Sequence, residues 1–301
     1  MRRALAVLAP LVVVLSACTA AAGVASPSPS APATRYSVLP VIVSQEQVVG
    51  TDRFVFSFLD AANKPVASPT RTASVRAWPE AKGPSAAVSG QGSFLWAVPN
   101  VTGMYVTTLA FSEAGKWDAE FTTASAGGAS ETIPFTFDVV AHGSAIQVGQ
   151  QAPSVSTPTL ADAGGNVKAI SSDTSPDPAF YRVSEDQALA QHRPFVLVFA
   201  TPAFCTSRAC GPLLDQVKAA ASSAPGVTFI NVEPYKLAYA NGQLQPVLDS
   251  NGQLQPVEAV GKFGILSEPW IFVVDRTGRV TVSFEGVASQ EELAAALKAI
   301  Q

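Results

Sequence analysis

Two of the three cysteines in this 301-residue chain, Cys205 and Cys210, lie five positions apart. They follow the apolar run 194–200, which has the composition of a strand covered on both faces. They precede Pro212, a residue type favoured in the first turn of a helix. Because backbone N–H groups at a helix N-terminus stabilise a thiolate, the pair is a candidate redox-active dithiol. We predict that Cys205 is the nucleophile and that Cys210 resolves a mixed disulfide.

The spacing of the two cysteines constrains the backbone between them. Five positions along one helix would place the side chains about 140° apart, too far round the helix to bond. Proline costs about 3 kcal/mol inside a helix but little in its first turn, so Pro212 favours a helix that starts close to it. We therefore expect residues 205–210 to be a loop or a frayed turn that can close a disulfide. Arg208, between the cysteines, supplies a positive charge that would stabilise a thiolate.

The first 34 residues predict export and anchoring. Residues 1–18 combine a short basic start with an apolar stretch that is shorter than the roughly 20 residues needed to span a bilayer. The segment ends in Leu-Ser-Ala-Cys, which resembles a bacterial lipobox, and this resemblance implies cleavage before Cys18 and its lipidation. Residues 19–34, rich in Ala, Ser and Pro, predict a tether. We expect a lipid-anchored lipoprotein on the extracytoplasmic face of the cell membrane, where disulfides persist.

Charge and composition narrow the partners. The chain carries 19 basic and 23 acidic residues, a formal net charge of −4, and no basic cluster. This distribution argues against nucleic acid as a partner. We expect no cofactor and no metal. The expected partners are thiols or disulfides of envelope or secreted proteins.

Residues 35–142 predict an all-β domain. Seven short segments rich in aromatic and β-branched residues are bounded by Gly, Pro, Asn or Ser, a pattern typical of a β-sandwich. The spacing of Gly103, Tyr105, Phe111 and Trp117 resembles the penultimate hairpin of an immunoglobulin-like sandwich. No cluster of cysteine, methionine or histidine lies on these segments, so we predict no site there.

Residues 145–301 alternate apolar runs with amphipathic segments, which predicts an α/β domain. The order of elements, with Phe204 before the first cysteine and the segment Phe-Gly-Ile-Leu-Ser-Glu-Pro at 263–269, resembles the thioredoxin fold, in particular its TlpA-like and redoxin-type extracytoplasmic members. This resemblance implies that Pro269 is a cis-proline facing the dithiol and that Phe204, Glu268 and Pro269 contact the substrate. The expected fold class is thus two domains, an immunoglobulin-like sandwich followed by an α/β thioredoxin-like domain.

Departures from the thioredoxin pattern leave alternatives open. Phe199 occupies the position of a buried aspartate, which would slow proton transfer to Cys210, and Glu268 would disfavour a thiolate beside it. The sequence predicts a thiol-disulfide oxidoreductase, but the motif around Thr201 also resembles that of peroxiredoxin-like thiol peroxidases. A redox-inactive scaffold lipoprotein with a structural disulfide is the third hypothesis. A Sco-type copper chaperone is disfavoured because no histidine follows His192.

One segment is duplicated: Asn-Gly-Gln-Leu-Gln-Pro-Val occurs at 241–247 and again at 251–257. Its polar, glycine- and proline-bearing composition predicts a tandem duplication within a surface loop.

Overall fold

The computed structural model describes residues 35–301. The predicted targeting segment, the lipidated Cys18 and the tether lie outside the described residues. Residues 36–301 form one compact unit, and the domain boundary placed at 142–145 stays a prediction. In the described part of the chain, no helix is both long and apolar enough to cross a bilayer.

Nine strands form two sheets in residues 38–140. They are β1 (Val38–Ile42), β2 (Gln47–Val48), β3 (Gly50–Asp60), β4 (Thr72–Pro79), β5 (Val88–Gln91), β6 (Ser93–Val98), β7 (Thr102–Phe111), β8 (Gly115–Ala124) and β9 (Glu131–Val140). One sheet has the order β1-β3-β7-β6 and the other the order β2-β9-β8-β4-β5. All pairs are antiparallel except β2 with β9. We call these the N-terminal sheets.

The N-terminal sheets enclose an aromatic core. Phe54, Phe56 and Phe58 alternate along β3 and all three pack against Phe121 of β8, on the other sheet. Burying an aromatic side chain of this size contributes roughly 2–3 kcal/mol each. Each of the seven predicted segments overlaps one of these strands. Sequence did not predict β2 and β5, which have only two and four residues.

The C-terminal part combines six strands with four helices. The strands are β10 (Phe195–Phe199), β11 (Thr228–Val232), β12 (Leu237–Ala240), β13 (Gln243–Pro246), β14 (Trp270–Val274) and β15 (Val280–Glu285). The helices are α1 (Glu185–Ala190), α2 (Cys210–Ala221), α3 (Glu258–Phe263) and α4 (Gln290–Ile300). Four strands make one mixed sheet of order β11-β10-β14-β15, in which only β10 and β11 are parallel.

Local sequence explains where the two longer helices begin. At α4, Ser289 Oγ accepts a hydrogen bond from Glu292 N, and Glu292 Oε2 accepts one from Ser289 N, so the sequence Ser-Gln-Glu-Glu at 289–292 forms a capping box. At α2, Pro212 is the third residue, a position where its missing N–H costs nothing. Leu213, Leu214 and Val217 of α2 face the buried core under the mixed sheet.

The predicted fold class is wrong. The chain is mostly β, with 38% strand and 17% helix, several sheets and only four helices in the described residues, and no clear α/β thioredoxin domain is shown. The apolar runs were recognised as strands, but the segments between them are poorer in helix than an α/β alternation requires. Helices α1 and α3 have six residues each, and the first copy of the duplicated segment supplies the turn and the second strand of the separate hairpin β12-β13.

Candidate functional site

Cys205 and Cys210 are joined in a disulfide, with their Cα atoms 6.1 Å apart. Cys205 lies in the loop after β10, and Cys210 is the first residue of α2. Arg208 adopts a left-handed backbone conformation with φ 60°, which turns the chain between the cysteines. The loop expected from the C-x4-C spacing is therefore present, and it brings the two sulfurs together where a single helix would keep them apart.

The two cysteines differ in access to solvent. Cys210 is completely buried, whereas Cys205 retains 8% of its surface. The Cys205 sulfur lies 3.2 Å from the Ser207 hydroxyl oxygen. An incoming thiolate would therefore reach Cys205 first, and the N-terminus of α2 lies at Cys210, where a leaving thiolate would form.

The N-terminal sheets pack against the cysteine loop. Ala209, directly before Cys210, is buried in an apolar cluster with Val55, Ala97 and Val106 of these sheets and with Val287. The sheets therefore cover part of the loop. Sequence analysis missed this contact and predicted no role for the sheets in the site.

One sequence signal for this contact was available on β3. Phe54, Phe56 and Phe58 fill the aromatic core, and the alternate residues Val55 and Ser57 are also buried. A strand whose two faces are both buried must be covered on both sides. The residue pattern of β3 did not indicate which element packs against the face that carries Val55 and Ser57.

Glu268, which directly precedes Pro269, lies beside the disulfide. The peptide bond between Glu268 and Pro269 is cis, the conformation that the thioredoxin resemblance implied. A carboxylate oxygen of Glu268 and the sulfurs of Cys205 and Cys210 all lie within 4.8 Å of one another. Two sulfurs and a carboxylate oxygen are also a set of atoms able to ligate a metal ion.

Tyr235 orients Glu268, and sequence analysis did not find it. The Tyr235 hydroxyl donates a hydrogen bond to Glu268 Oε2 at 2.6 Å. Burial, together with the neighbouring Glu268 carboxylate, raises the pKa of Tyr235 above its usual value, so the phenol keeps its proton. Tyr235 lies 33 positions from Glu268, and no local pattern links the two.

The remaining predicted site residues lie in the same loop. Phe204 is half-buried and adjoins Cys205. Arg208 is exposed, and its side chain makes no ion pair or hydrogen bond with any residue from 35 to 301. Their predicted roles in substrate contact and thiolate stabilisation stay predictions.

A buried carboxyl group lies near the cysteine loop, even though Phe199 is apolar at the position where the thioredoxin pattern has a buried aspartate. Glu233 follows β11 and accepts a hydrogen bond at Oε1 from Ser172 N at 2.5 Å. Burial raises the pKa of Glu233 to about 7, against the opposing effect of hydrogen bonds from Thr201 and Ser172. The Ser172 hydroxyl in turn accepts a hydrogen bond from Ala203 N, in the cysteine loop. Sequence analysis did not identify Glu233, because its burial depends on residues far along the chain.

The duplicated segment borders a cavity. The cavity has a volume of about 420 Å³ and is lined by Glu233 and Tyr235. Val247 and Val257, the last residues of the two copies, also line it. Because Tyr235 both borders the cavity and binds Glu268, the cavity adjoins the residues beside the disulfide.

Comparisons with known proteins do not place the chain in a family. No protein-family model matches the sequence, and no curated protein matches it. Among solved structures, a thio-disulfide isomerase from Thermus thermophilus is 24% identical, with 52% of this chain and 97% of that chain covered and a TM-score of 0.31. A DUF4426 family protein from Pseudomonas aeruginosa is 9% identical, with 36% and 96% covered and a TM-score of 0.26.

The Lin-41 filamin domain is 14% identical to this chain, with 34% of this chain and 93% of that domain covered and a TM-score of 0.21. TM-scores of this size carry no argument about fold or function. The functional interpretation therefore depends on the geometry around the cysteines.

Proposed function

We propose that the protein is a thiol-disulfide oxidoreductase that works through Cys205 and Cys210. The observation that carries the proposal is the disulfide itself, in which Cys205 keeps 8% of its surface, Cys210 is completely buried at the start of α2, and a Glu268 carboxylate oxygen lies within 4.8 Å of both sulfurs. An exchange couple needs an attackable sulfur and a stabilised leaving group, and this arrangement supplies both.

The proposed exchange proceeds in two displacements. A partner thiolate attacks the Cys205 sulfur, the Cys205–Cys210 bond breaks, and Cys210 leaves as a thiolate at the N-terminus of α2. The Cys210 thiolate can attack the mixed disulfide and reverse the step, or a second partner thiolate can attack and leave the cysteines reduced and the partner oxidised. The reverse sequence oxidises the two cysteines and reduces a partner disulfide.

Glu268 is proposed to exchange protons with the cysteines during this reaction. Its carboxylate is close to both sulfurs, and Tyr235 fixes one of its oxygens. A carboxylic acid at that position can protonate a departing thiolate, and a carboxylate can accept a proton from a thiol. Glu268 would thereby supply a proton-transfer group in a site where Phe199 provides none.

A second candidate function is supported by the burial of the bond. Cys210 is inaccessible, Cys205 is nearly so, and Ala209 between them is held by the N-terminal sheets. A disulfide in such surroundings also suits a redox-inactive binding or scaffold protein. Nothing in the geometry favours the peroxidase alternative over these two.

Trapping tests the proposal. Cys210→Ser leaves Cys205 without its resolving partner, so a working exchanger should accumulate mixed disulfides with extracytoplasmic proteins, visible on non-reducing gels and lost on reduction. Cys205→Ser is the matched control and should trap at least tenfold less. Equal absence of adducts from both variants would support the scaffold function.

Membrane anchoring through Cys18 is a separate part of the proposal. It rests on the lipobox-like sequence alone. Expression of the full chain and of Cys18→Ala in a bacterial host, followed by detergent phase partitioning, tests it. The full chain should enter the detergent phase and the variant should not, since two or more acyl chains are needed for stable anchoring.

A further inference from the structure

The group formed by Cys205, Cys210 and Glu268 has a second chemical capability that disulfide exchange does not use. In tetrahedral zinc sites the metal lies about 2.3 Å from each sulfur and about 2.1 Å from a carboxylate oxygen, which places two thiolates roughly 3.8 Å apart. The three candidate ligand atoms already lie within 4.8 Å of one another. The Cα separation of 6.1 Å allows both sulfurs to face one ion once the bond between them is broken.

We propose that the reduced protein binds a zinc ion through the thiolates of Cys205 and Cys210 and a carboxylate oxygen of Glu268. The proposal goes beyond disulfide exchange but rests on the same cysteines being reducible. Reduction adds two electrons and two protons to the disulfide, and a dithiol or phosphine reductant can supply the electrons. Zinc then displaces both thiol protons, so that no further oxidant or reductant takes part in binding.

The surroundings of Glu268 suit a cation. The Tyr235 hydroxyl holds Oε2 by a hydrogen bond, which orients the carboxylate and leaves the other oxygen for a metal, as outer-shell partners commonly do. No lysine or arginine in residues 35–301 forms an ion pair with Glu268, so no basic side chain competes with a cation for its oxygens.

The donor set also selects the kind of metal. Two thiolates and one carboxylate suit a borderline-soft ion such as Zn²⁺, whereas Ca²⁺ and Mg²⁺ require six or more oxygen ligands. Three protein ligands leave a fourth position open. Cys205 keeps 8% of its surface and Cys210 keeps none, so a water molecule would complete the tetrahedron on the Cys205 side. From the sequence, in which Glu268 is remote from the cysteines, we expected no metal.

The consequence is a redox-dependent site. The disulfide form has no thiolate to offer and binds no zinc, while zinc bound to the reduced form occupies the attacking sulfur. Zinc would therefore favour the reduced state. A ligand that binds only one redox form of a two-electron couple shifts the midpoint potential of that couple. The shift is about 30 mV for each factor of ten by which the ligand concentration exceeds its dissociation constant.

Cobalt is a suitable probe because Co²⁺ substitutes for Zn²⁺ and gives thiolate charge-transfer absorption. The whole protein, reduced with a phosphine and kept without oxygen, should bind one equivalent of Co²⁺, which Zn²⁺ should displace. The disulfide form should bind none. Glu268→Gln should weaken Co²⁺ binding at least tenfold, and Glu258→Gln, which removes an exposed carboxylate of α3, should leave it unchanged.

Two results would overturn the zinc site: a reduced protein that binds no Co²⁺, or a Glu268→Gln variant that binds it as tightly as the parent. A zinc-dependent rise of the midpoint potential in the parent, absent from Glu268→Gln, is the second readout. These outcomes are separable from failure of the oxidoreductase proposal, because the titration starts from chemically reduced protein and needs no partner exchange.

Discussion

At the residue scale, the chemistry depends on the asymmetry between two bonded cysteines. Cys205 touches solvent and Cys210 does not, and Glu268 lies within reach of both sulfurs. The asymmetry follows from position: one cysteine lies in a loop, and the other is the buried first residue of α2. A negative charge close to a thiolate destabilises it, by about 1 kcal/mol in a watery environment and more where the site is drier.

The first prediction concerns Glu268. Replacing Glu268 with Gln removes the negative charge while keeping the side-chain shape, so the reduced Cys205 should react with iodoacetamide near neutral pH roughly fivefold faster or more. Alkylation rates of reduced protein measure this. Glu258→Gln, on the exposed face of α3, controls for loss of a carboxylate elsewhere. Unchanged or slower alkylation of Glu268→Gln would show that the carboxylate does not act on the thiol.

At the element scale, the N-terminal sheets restrain the cysteine loop. Val55, Ala97 and Val106 bury Ala209, and Arg53 of β3 makes a two-pronged ion pair with Glu292 at the start of α4. The Arg53 guanidinium also lies over the Phe284 ring, 5.3 Å from its centre. Since the pair is only partly exposed, it fixes the orientation of α4 more firmly than a surface ion pair would.

The second prediction concerns this restraint. Val106→Ala should loosen the packing around Ala209 and make the disulfide more accessible, so its reduction by a small thiol should accelerate several-fold. Val75→Ala is the matched control, since Val75 is equally apolar and lies in the aromatic core away from the loop. Both variants should lose roughly 1–3 kcal/mol of unfolding free energy. Equal reduction rates in the two variants would rule out a role for the sheets in protecting the bond.

Elements defined by local pattern were predictable, and contacts between distant segments were not. The strand runs, the capping box at Ser289 and the non-helical loop between the cysteines follow from neighbouring residues, and all are present. Three features of the site join segments that are more than 30 positions apart along the chain. They are the packing of the N-terminal sheets on Ala209, the Tyr235–Glu268 hydrogen bond and the burial of Glu233. The fold class was wrong because strand outweighs helix, at 38% against 17%, and two of the four helices in the described residues have only six residues each.

At the scale of the whole molecule, burial raises the pKa of several carboxyl groups. Burial raises the pKa of Glu285 to about 7, despite a hydrogen bond that its Oε1 accepts from Gln45 N. Glu285 is on β15, and Gln45 belongs to the segment between β1 and β2, so this carboxyl group links the N-terminal sheets to the rest of the unit. Burial likewise raises the pKa of Glu185 to about 8.

The third prediction follows from Glu285. An ordinary glutamate has a pKa near 4.5, so between about pH 4.5 and 7 the folded protein holds a proton that the unfolded chain has released. The stabilisation is complete below pH 4.5 and is lost as the pH rises through 7, by up to about 3 kcal/mol. Chemical unfolding at pH 5 and at pH 8 measures this effect. Between these two pH values, the free energy of unfolding should fall less for Glu285→Gln than for the parent. The same loss in both proteins would contradict the raised pKa.

The reduction potential of the Cys205–Cys210 couple is the most direct test of the whole account. Equilibration of the protein with a series of dithiol and disulfide buffers, with the thiols counted at each point, gives this potential. An oxidoreductase predicts a midpoint above about −300 mV and complete reversibility. A midpoint below about −300 mV, or reduction only after the protein unfolds, would identify the bond as structural and contradict the account.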